Sequence, residues 1–554
     1  MSDTFQSGLQ FARDIRPHSI LDPIHGLIRL TDLEFAVLDD PLFQRLRKVK
    51  QNGLLYMVFP SATHTRFEHS IGAMHVADSM LEQLWLNSLV GREKEAVAPF
   101  ASETGDVAID FAEVPDEHIR WIVRITRLAA LVHDLGHGPL SHTFDSFALH
   151  RDDLQRLLMA GVVRLGDVPH AVSYWERRGL EGSVSYDRVP HEVMSCVFFA
   201  HVWSRLGVDV RGDSSGRDAG WSDLPLVIAA CVLGRPEIVG ESVGFEHRQW
   251  IRFVHDLIAS APADADRMDY LERDSRALGV SYGLFDRNRV LKSFLCFRHG
   301  QGDQAEYRLG VKRSGIPAME NLVQARFELY VQVYHHKTNQ AISLMLKSIA
   351  LRAHEENIRF FDVNDHDLQD SFNRIVDKYV DLSDDQFMRV LRGKNVGYPI
   401  PPTDATATAE MIEQRALWKR LFEGDEQGAD YAAATIRKTA NKDIANNILL
   451  DVSKPGATKD LDSGATLLSR DESGFYTPIF DQSWYAFSIV IKALKEAEGN
   501  IGRLYAKGSA LEASAFSELT SQARRLGRQY DNARQQADLL DQAIRKRQEA
   551  EARS

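Results

Sequence analysis

LAALVHDLGHGPLSHTFDSF, residues 128–147, is the stretch from which the rest of the chain is read. The fifteen residues leading into it from His118 (HIRWIVRITRLAALV) carry apolar side chains at helical spacing and become continuously apolar near the end. That pattern predicts a helix running into the core. At its C-terminal end it delivers His133 and Asp134 side by side, and Gly136, Gly138 and Pro139 then forbid a regular continuation. His137, His142 and Asp145 follow closely. Packing does not explain a core helix that ends in so many titratable groups.

Two other stretches supply matching chemistry. In HTRFEHSIGAMHVADSMLEQLW, from His64 to Trp85, an apolar stripe predicts a helix with His69 in its first turn and Arg66 three residues before it. In DADRMDYLERDSRALG, from Asp264 to Gly279, Asp266 sits one turn from apolar neighbours. Two imidazoles and two carboxylates suffice to hold one divalent metal with positions left open, and mixed N and O ligands suit iron, manganese or zinc rather than calcium. Such a metal lowers the pKa of bound water and polarises a phosphoryl oxygen. Without a partner, burial of His133 and Asp134 would cost on the order of several kcal/mol.

Composition bounds the class. The chain has 554 residues, 44% hydrophobic and 26% charged, as in a soluble globular protein with more than one lobe. A net charge of -12 gives no support to general nucleic-acid affinity, while leaving room for a local basic pocket. Cys196, Cys231 and Cys296 are far apart in apolar or helical surroundings, which suggests buried thiols in a reducing cytoplasm. No apolar run approaches the roughly 18 to 20 residues that span a bilayer, and the N-terminus lacks a signal-peptide core. The expectation is a cytoplasmic protein with no membrane partner.

The remaining segments frame these motifs. DPIHGLIRL (22–30) reads as a short strand or hairpin turning at Gly26, and residues 33–49 as two helices split at Pro41. Acidic residues 91–117 and mixed residues 148–189 read as insertions, the second with one or two short helices. Residues 191–203 resume a helix, Phe294 to Val311 forms a hairpin, and a long helix follows from about Ile316 to Ala353. The expected fold is mainly α: a helical core over residues 1–360, a helical C-terminal lobe over 361–507, and a final amphipathic helix over 508–554. Leu519, Ala523, Leu526, Tyr530, Ala533, Ala537, Leu540 and Ile544 make a heptad seam there, suited to packing on its own protein or a neighbouring subunit.

HTRFEHS, LVHDLGHGPLSHTFD, PHEVMS and DADRMDYLERD, in this order, closely resemble the HD-superfamily deoxynucleoside triphosphate triphosphohydrolases. That family includes bacterial dGTPases and the vertebrate enzyme in which an HD domain follows a sterile alpha motif. The likeness starts at DPIHG, includes FQRLRKVKQ and runs to VYHHK, about Ser19 to Lys337. The resemblance implies an HD-domain helical core and release of a deoxynucleoside and inorganic triphosphate. It makes His69, His133, Asp134 and Asp266 the metal ligands, with Mg accompanying the nucleotide. Arg66, His137 and Arg326 correspond to phosphate contacts, for which an Arg fork is suited. His142, Asp145 and His191 match the catalytic set, with His142 protonating the 5′-oxygen and Asp145 orienting an imidazole. Gln51, Tyr270, Asp274 and Tyr334 match the sugar pocket, where Tyr334 would crowd a 2′-hydroxyl.

A second set of matches implies regulation. Asp39, Gln44 and Arg47 resemble a guanine-reading activator pocket, Asp286 and Arg289 a neighbouring deoxynucleotide site, and His336 and Lys337 residues that grip activator phosphates between subunits. The implied partners are a dNTP substrate, a dNTP or GTP activator, and further copies of the chain in a dimer or tetramer. Three departures bear on this. His18 stands where the family has a lysine near the activator, Asn52 replaces an apolar residue beside the sugar, and His335 replaces a glutamine. Two other function classes stay open: an HD-type phosphodiesterase or nuclease, told apart by its products, and a nucleotide sensor that recruits a partner through its C-terminal helices.

Overall fold

Three helices form the centre of the protein because each carries a wide apolar face. The Arg66–Gly91 helix packs against both the Asp116–Val132 and Ala265–Leu278 helices. The computed structural model describes residues 9, 15–91, 107–165, 187–206, 223–240, 243–260, 262–300, 302, 305–395, 397–440, 447–453, 468–470, 476–478, 501–507, 515–530 and 534. In the Asp116–Val132 helix nearly every residue from Ile122 onward is buried, so the chain reaches His133 inside the core. The His191–Arg205, Leu224–Leu233 and Ile251–Ala259 helices surround this centre. The fold is mainly α, as the sequence suggests. Among the described residues no helix is long and apolar enough to cross a membrane.

Local chemistry accounts for the N-terminal elements. Strands Ile15–Asp22 and Gly26–Thr31 pair antiparallel, with Ile20 opposite Ile28 and Gly26 at φ +75°, where a side chain would be strained. Thr31 and Glu34 close a capping box on the Asp32–Asp39 helix. Asp40 and Pro41 then start the next short helix, Pro41–Gln44, which is the predicted split. Arg127 fastens this region to the core: its guanidinium donates to both oxygens of Glu34 at 2.8 Å, to Asp78 at 2.8 Å and to the Arg29 carbonyl at 2.9 Å. Cys196, Cys231 and Cys296 are buried free thiols.

Three features differ from the sequence reading. The helix expected over residues 316–353 is two, Ile316–Leu329 and Lys337–Glu355, separated by a wide turn at Tyr330–Tyr334. No Pro or Gly signals this break. Its freed carbonyls are satisfied by Arg503 from far along the chain, on His335 O at 3.0 Å, and by Asn339 and Gln340 of the following helix, on Tyr334 O at 2.9 and 3.0 Å. Second, the acidic segment 91–117 contributes strand Val107–Ile109, which extends the Phe294–His299 and Glu306–Val311 hairpin into a larger sheet.

Third, the C-terminal region read as helical contains an antiparallel sheet in which Ile501–Ala506 lies between Lys419–Asp425 and Ile448–Ser453. Its strands do not alternate: Leu421 and Phe422 are buried side by side in KRLFEGD, and Gly502–Ala506 are all buried. With the Glu426–Thr439 helix this sheet encloses a second apolar core, to which Leu519, Ala523 and Leu526 of the heptad seam contribute. The seam's described part therefore packs on its own chain. Ala533, Ala537, Leu540 and Ile544 lie outside the described residues, as does the loop around Lys454.

Arg127→Ala would strand Glu34 and Asp78 without their cation, both of them buried or nearly so. Urea denaturation should show a loss of about 3–5 kcal/mol.

Candidate active site

Three helix ends meet at one buried point. His69 comes from the first turn of Arg66–Gly91, His133 caps the C-terminus of Asp116–Val132 and Asp134 follows it, and Asp266 lies in the first turn of Ala265–Leu278. Ligand atoms of His69, His133 and Asp266 all lie within 4.8 Å of one another. Asp134 completes the group, 3.5 Å from Nε2 of both His69 and His133. Each imidazole is already oriented from behind. His69 Nδ1 donates to Asp269 Oδ2 at 2.8 Å and His133 Nδ1 to the Ala130 carbonyl at 2.7 Å. Both Nε2 atoms thus turn a lone pair toward the shared point, and both are buried without an aligned hydrogen bond.

This donor set fits a divalent metal. Nδ1-anchored imidazoles, two carboxylates and an open side at Asp266, whose side chain is 30% exposed, are what a catalytic site requires. Electrostatics agrees. Burial opposes charge on His69, but Asp266 and Asp269 outweigh it and raise the ring to about 10, so the Nε2 lone pair takes up a proton that a metal would displace. Burial likewise opposes charge on Asp134, yet Arg66, His133 and His69 hold its carboxyl well below its usual range. The pocket is built to keep its carboxylates ionised, with a cation between them.

A second cluster adjoins it. Gly136 allows the approach, since a Cβ there would stand 2.2 Å from the His191 carbonyl oxygen. His137 and His191 stack with ring centroids 3.7 Å apart, and His142 meets both edge-on at 4.8 and 5.1 Å. Asp145 is hydrogen-bonded to His191 Nδ1 at 3.1 Å, so the imidazole it orients is His191 and not His142. Burial works against the charged form of His191, but Glu192 and Asp145 raise it to about 9.

Beyond these histidines opens a cavity of about 260 Å³, close to the size of small-molecule sites. Gln51, Asn52, Arg66, His142, Tyr270, Asp274, Tyr330 and Tyr334 line it. Asp274 is buried and accepts from Tyr334 Oη at 2.5 Å, Asn52 Nδ2 at 2.9 Å and His64 Nε2 at 2.6 Å. Arg326 donates to Tyr270 Oη at 3.2 Å and its guanidinium lies over the Tyr330 ring. Arg66 donates to Asp134 and, at 3.1 Å, to Ser141 Oγ.

The metal, catalytic and sugar-pocket residues named from the sequence therefore gather in one region, and the regulatory set does not line the cavity. Arg47 donates to Gln44 at 2.9 Å and lies over the Phe67 ring, while Asp39 is exposed. Asp286 caps a short helix through Arg289 N at 3.0 Å, and His336 caps the Lys337–Glu355 helix through Thr338 N at 3.3 Å. Four contributors escaped the sequence reading: His64, Ser141, Tyr330 and Asp269. Asp269 had a signal, lying one turn after Asp266 on the same buried helix. His64 had a weaker one, as a lone imidazole in a polar turn next to Arg66.

Asp269→Ala removes the carboxylate that orients His69 and should weaken metal binding about 10- to 100-fold, read by chelator competition. The Asp145–His191 pair predicts a pH dependence. His191 is raised in the folded chain, so its contribution is complete below the ordinary histidine value of about 6.5 and is lost as pH rises through about 9. Denaturation curves of wild type and Asp145→Asn should differ below about pH 6.5 and converge above about pH 9.

No protein-family model matches the chain. It is 28% identical over 364 residues to the uncharacterized protein MJ1154 of Methanocaldococcus jannaschii, covering 65% of this chain and 56% of that one. It is 26% identical over 346 residues to the uncharacterized protein YwfO of Bacillus subtilis, covering 61% and 57%. To the human deoxynucleoside triphosphate triphosphohydrolase SAMHD1 it is 26% identical over 444 residues, covering 78% and 60%. The chain thus spans a little over half the length of the curated relatives it matches. In fold alone it is similar to the crystal structure of a hypothetical protein from Aquifex aeolicus, with a TM-score of 0.56 at 21% identity over 92% of this chain and 100% of that one. Over most of its sequence the chain is thus similar to several proteins named as deoxynucleoside triphosphate triphosphohydrolases and to a putative HD domain-containing protein of Acanthamoeba polyphaga mimivirus.

Proposed function

We propose that the protein hydrolyses deoxynucleoside triphosphates to a deoxynucleoside and inorganic triphosphate, in the cytoplasm and with a divalent metal. One observation carries this reading: the His69, His133, Asp134 and Asp266 cluster, the imidazoles of His137, His142 and His191, and the Asp274–Tyr334 pair lie along one continuous region. A metal-type site beside a proton donor and a hydroxyl-reading carboxylate supports cleavage at the phosphorus nearest the sugar.

When bound, iron, manganese or zinc at the four ligands supplies charge neutralisation and activation of water. The chain's own residues do the rest. Arg66, His137 and Arg326 bind the triphosphate, which also carries Mg. Asp274 accepts from the 3′-hydroxyl, Gln51 touches the sugar edge, and Tyr270 with Tyr334 encloses the ring. Tyr334 Oη, fixed on Asp274, would crowd a 2′-hydroxyl, which favours deoxyribose. Burial beside His191 and Arg66 lowers His142 to about 4, so the proton is held on His191, which, against burial, Glu192 and Asp145 raise to about 9. His142 relays it to the 5′-oxygen as the α-phosphorus to 5′-oxygen bond breaks. Regulation by a dNTP or GTP at Asp39, Gln44, Arg47, Asp286 and Arg289, with His336 and Lys337 completing the grip in a dimer or tetramer, belongs to the same reading.

The test is product identity. Purified protein incubated with each dNTP, singly and in pairs, with Mn or Mg, should yield a deoxynucleoside and triphosphate on chromatography. Folded His133→Ala and Asp134→Ala variants should yield neither. A deoxynucleoside monophosphate with pyrophosphate, or turnover of nucleic acid alone, overturns the reading.

A further inference from the structure

Leu140 and Ser141 both adopt positive φ, +63° and +54°, although neither is glycine. Left-handed backbone is unfavourable for residues with a Cβ and persists only where surroundings hold it. Here the pair immediately precedes His142, and both residues with His142 line the cavity.

We propose that Asp384 is a positioning residue for this site: from the first turn of the Asp384–Leu391 helix, its carboxylate holds the left-handed pair and sets His142 at the cavity wall. Asp384 Oδ1 accepts from Leu140 N at 2.7 Å. Its Oδ2 accepts from Lys50 N at 3.0 Å and lies 3.4 Å from Lys50 Nζ. One carboxylate therefore ties the loop carrying His142 to the loop carrying Gln51 and Asn52. The two loops also touch directly. A Cβ on Gly53 would stand 2.9 Å from the Leu140 carbonyl oxygen, and Ser141 Oγ donates to Gln51 O at 2.7 Å.

Asp384 is not needed by its own helix. Ser383 already caps that helix, in a capping box with Gln386. A carboxylate only 1% exposed is costly, and burial raises it against the stabilising amides of Leu140 and Lys50. That cost is offset by the work it does on the two loops. The helix lies after Ser19–Lys337, the stretch that carries the sequence motifs, so the site takes support from a later region of the chain.

The inference rests on the reading that the cavity is a nucleotide site, and the test separates the two. In the full chain, hydrogen exchange at residues 49–52 and 138–143 is compared between wild type, Asp384→Ala and Asp384→Asn, together with kcat and KM for the dNTP turned over. Asp384→Ala should exchange faster in both segments and lose about a hundredfold in kcat with a smaller change in KM. Asp384→Asn keeps one acceptor oxygen and should recover part of both. A folded Asp384→Ala with unchanged exchange, or with faster exchange and unchanged kcat, overturns the proposal. Should Asp384→Ala fail to fold, Asp384→Asn decides, and wild-type exchange and kcat there overturn it. A wild type that turns over no dNTP defeats the functional reading while the exchange comparison still tests the clamp.

Discussion

Negative charge concentrated where three helix ends meet is the constraint on which the molecule depends. Asp134, Asp266 and Asp269 converge on His69 and His133 in a volume from which water is largely excluded. Isolated carboxylates in such a place are costly, and the surroundings compensate at every step. Arg273 donates to both oxygens of Asp269 at 2.9 Å, His25 binds it at 2.6 Å, and Arg66 engages Asp134. A divalent cation at the centre would meet the same need. Helix packing and chemistry are the same problem here: moving any of the three helices separates the ligands.

The substrate side follows a different logic. Asp274 is held from three directions by His64, Asn52 and Tyr334, which leaves an acceptor site of the carboxylate open and sets its position before any ligand arrives. Preorganisation of this kind makes a carboxylate selective, because a misfitting ligand would leave buried polar groups unpaired. The Leu140 to His142 turn stores strain and needs an external clamp, whereas Asp274 sits in a mid-helix position and needs only neighbours. Rigid helix residues hold the metal-type site and Asp274, and the turn bears His142.

Legibility in the sequence followed the range of the interactions. His133 with Asp134, and Arg66 with His69, are local groupings whose polarity contradicts their apolar helices, and that contradiction marked them. The hairpin at Gly26 and the split at Pro41 were legible for the same reason. Asp384 reaches Leu140 across 244 residues, and no pattern near either position announces the contact. The Tyr330 to His336 break is similarly hidden, being stabilised by Arg503 from 168 residues away. The C-terminal sheet was missed because its strands lack apolar–polar alternation and its central strand, Ile501–Ala506, lies far along the chain from both partners. Asp269 could have been read, since its spacing from Asp266 places it one turn further into the same core.

The central claim is that the chain breaks the bond between the α-phosphorus and the 5′-oxygen by attack of water on phosphorus. Turnover of a dNTP in water enriched in ¹⁸O, with both products weighed by mass spectrometry, tests this most directly. The account predicts a single ¹⁸O atom in the triphosphate and none in the deoxynucleoside. Label in the deoxynucleoside, or in a monophosphate or pyrophosphate product, would contradict it.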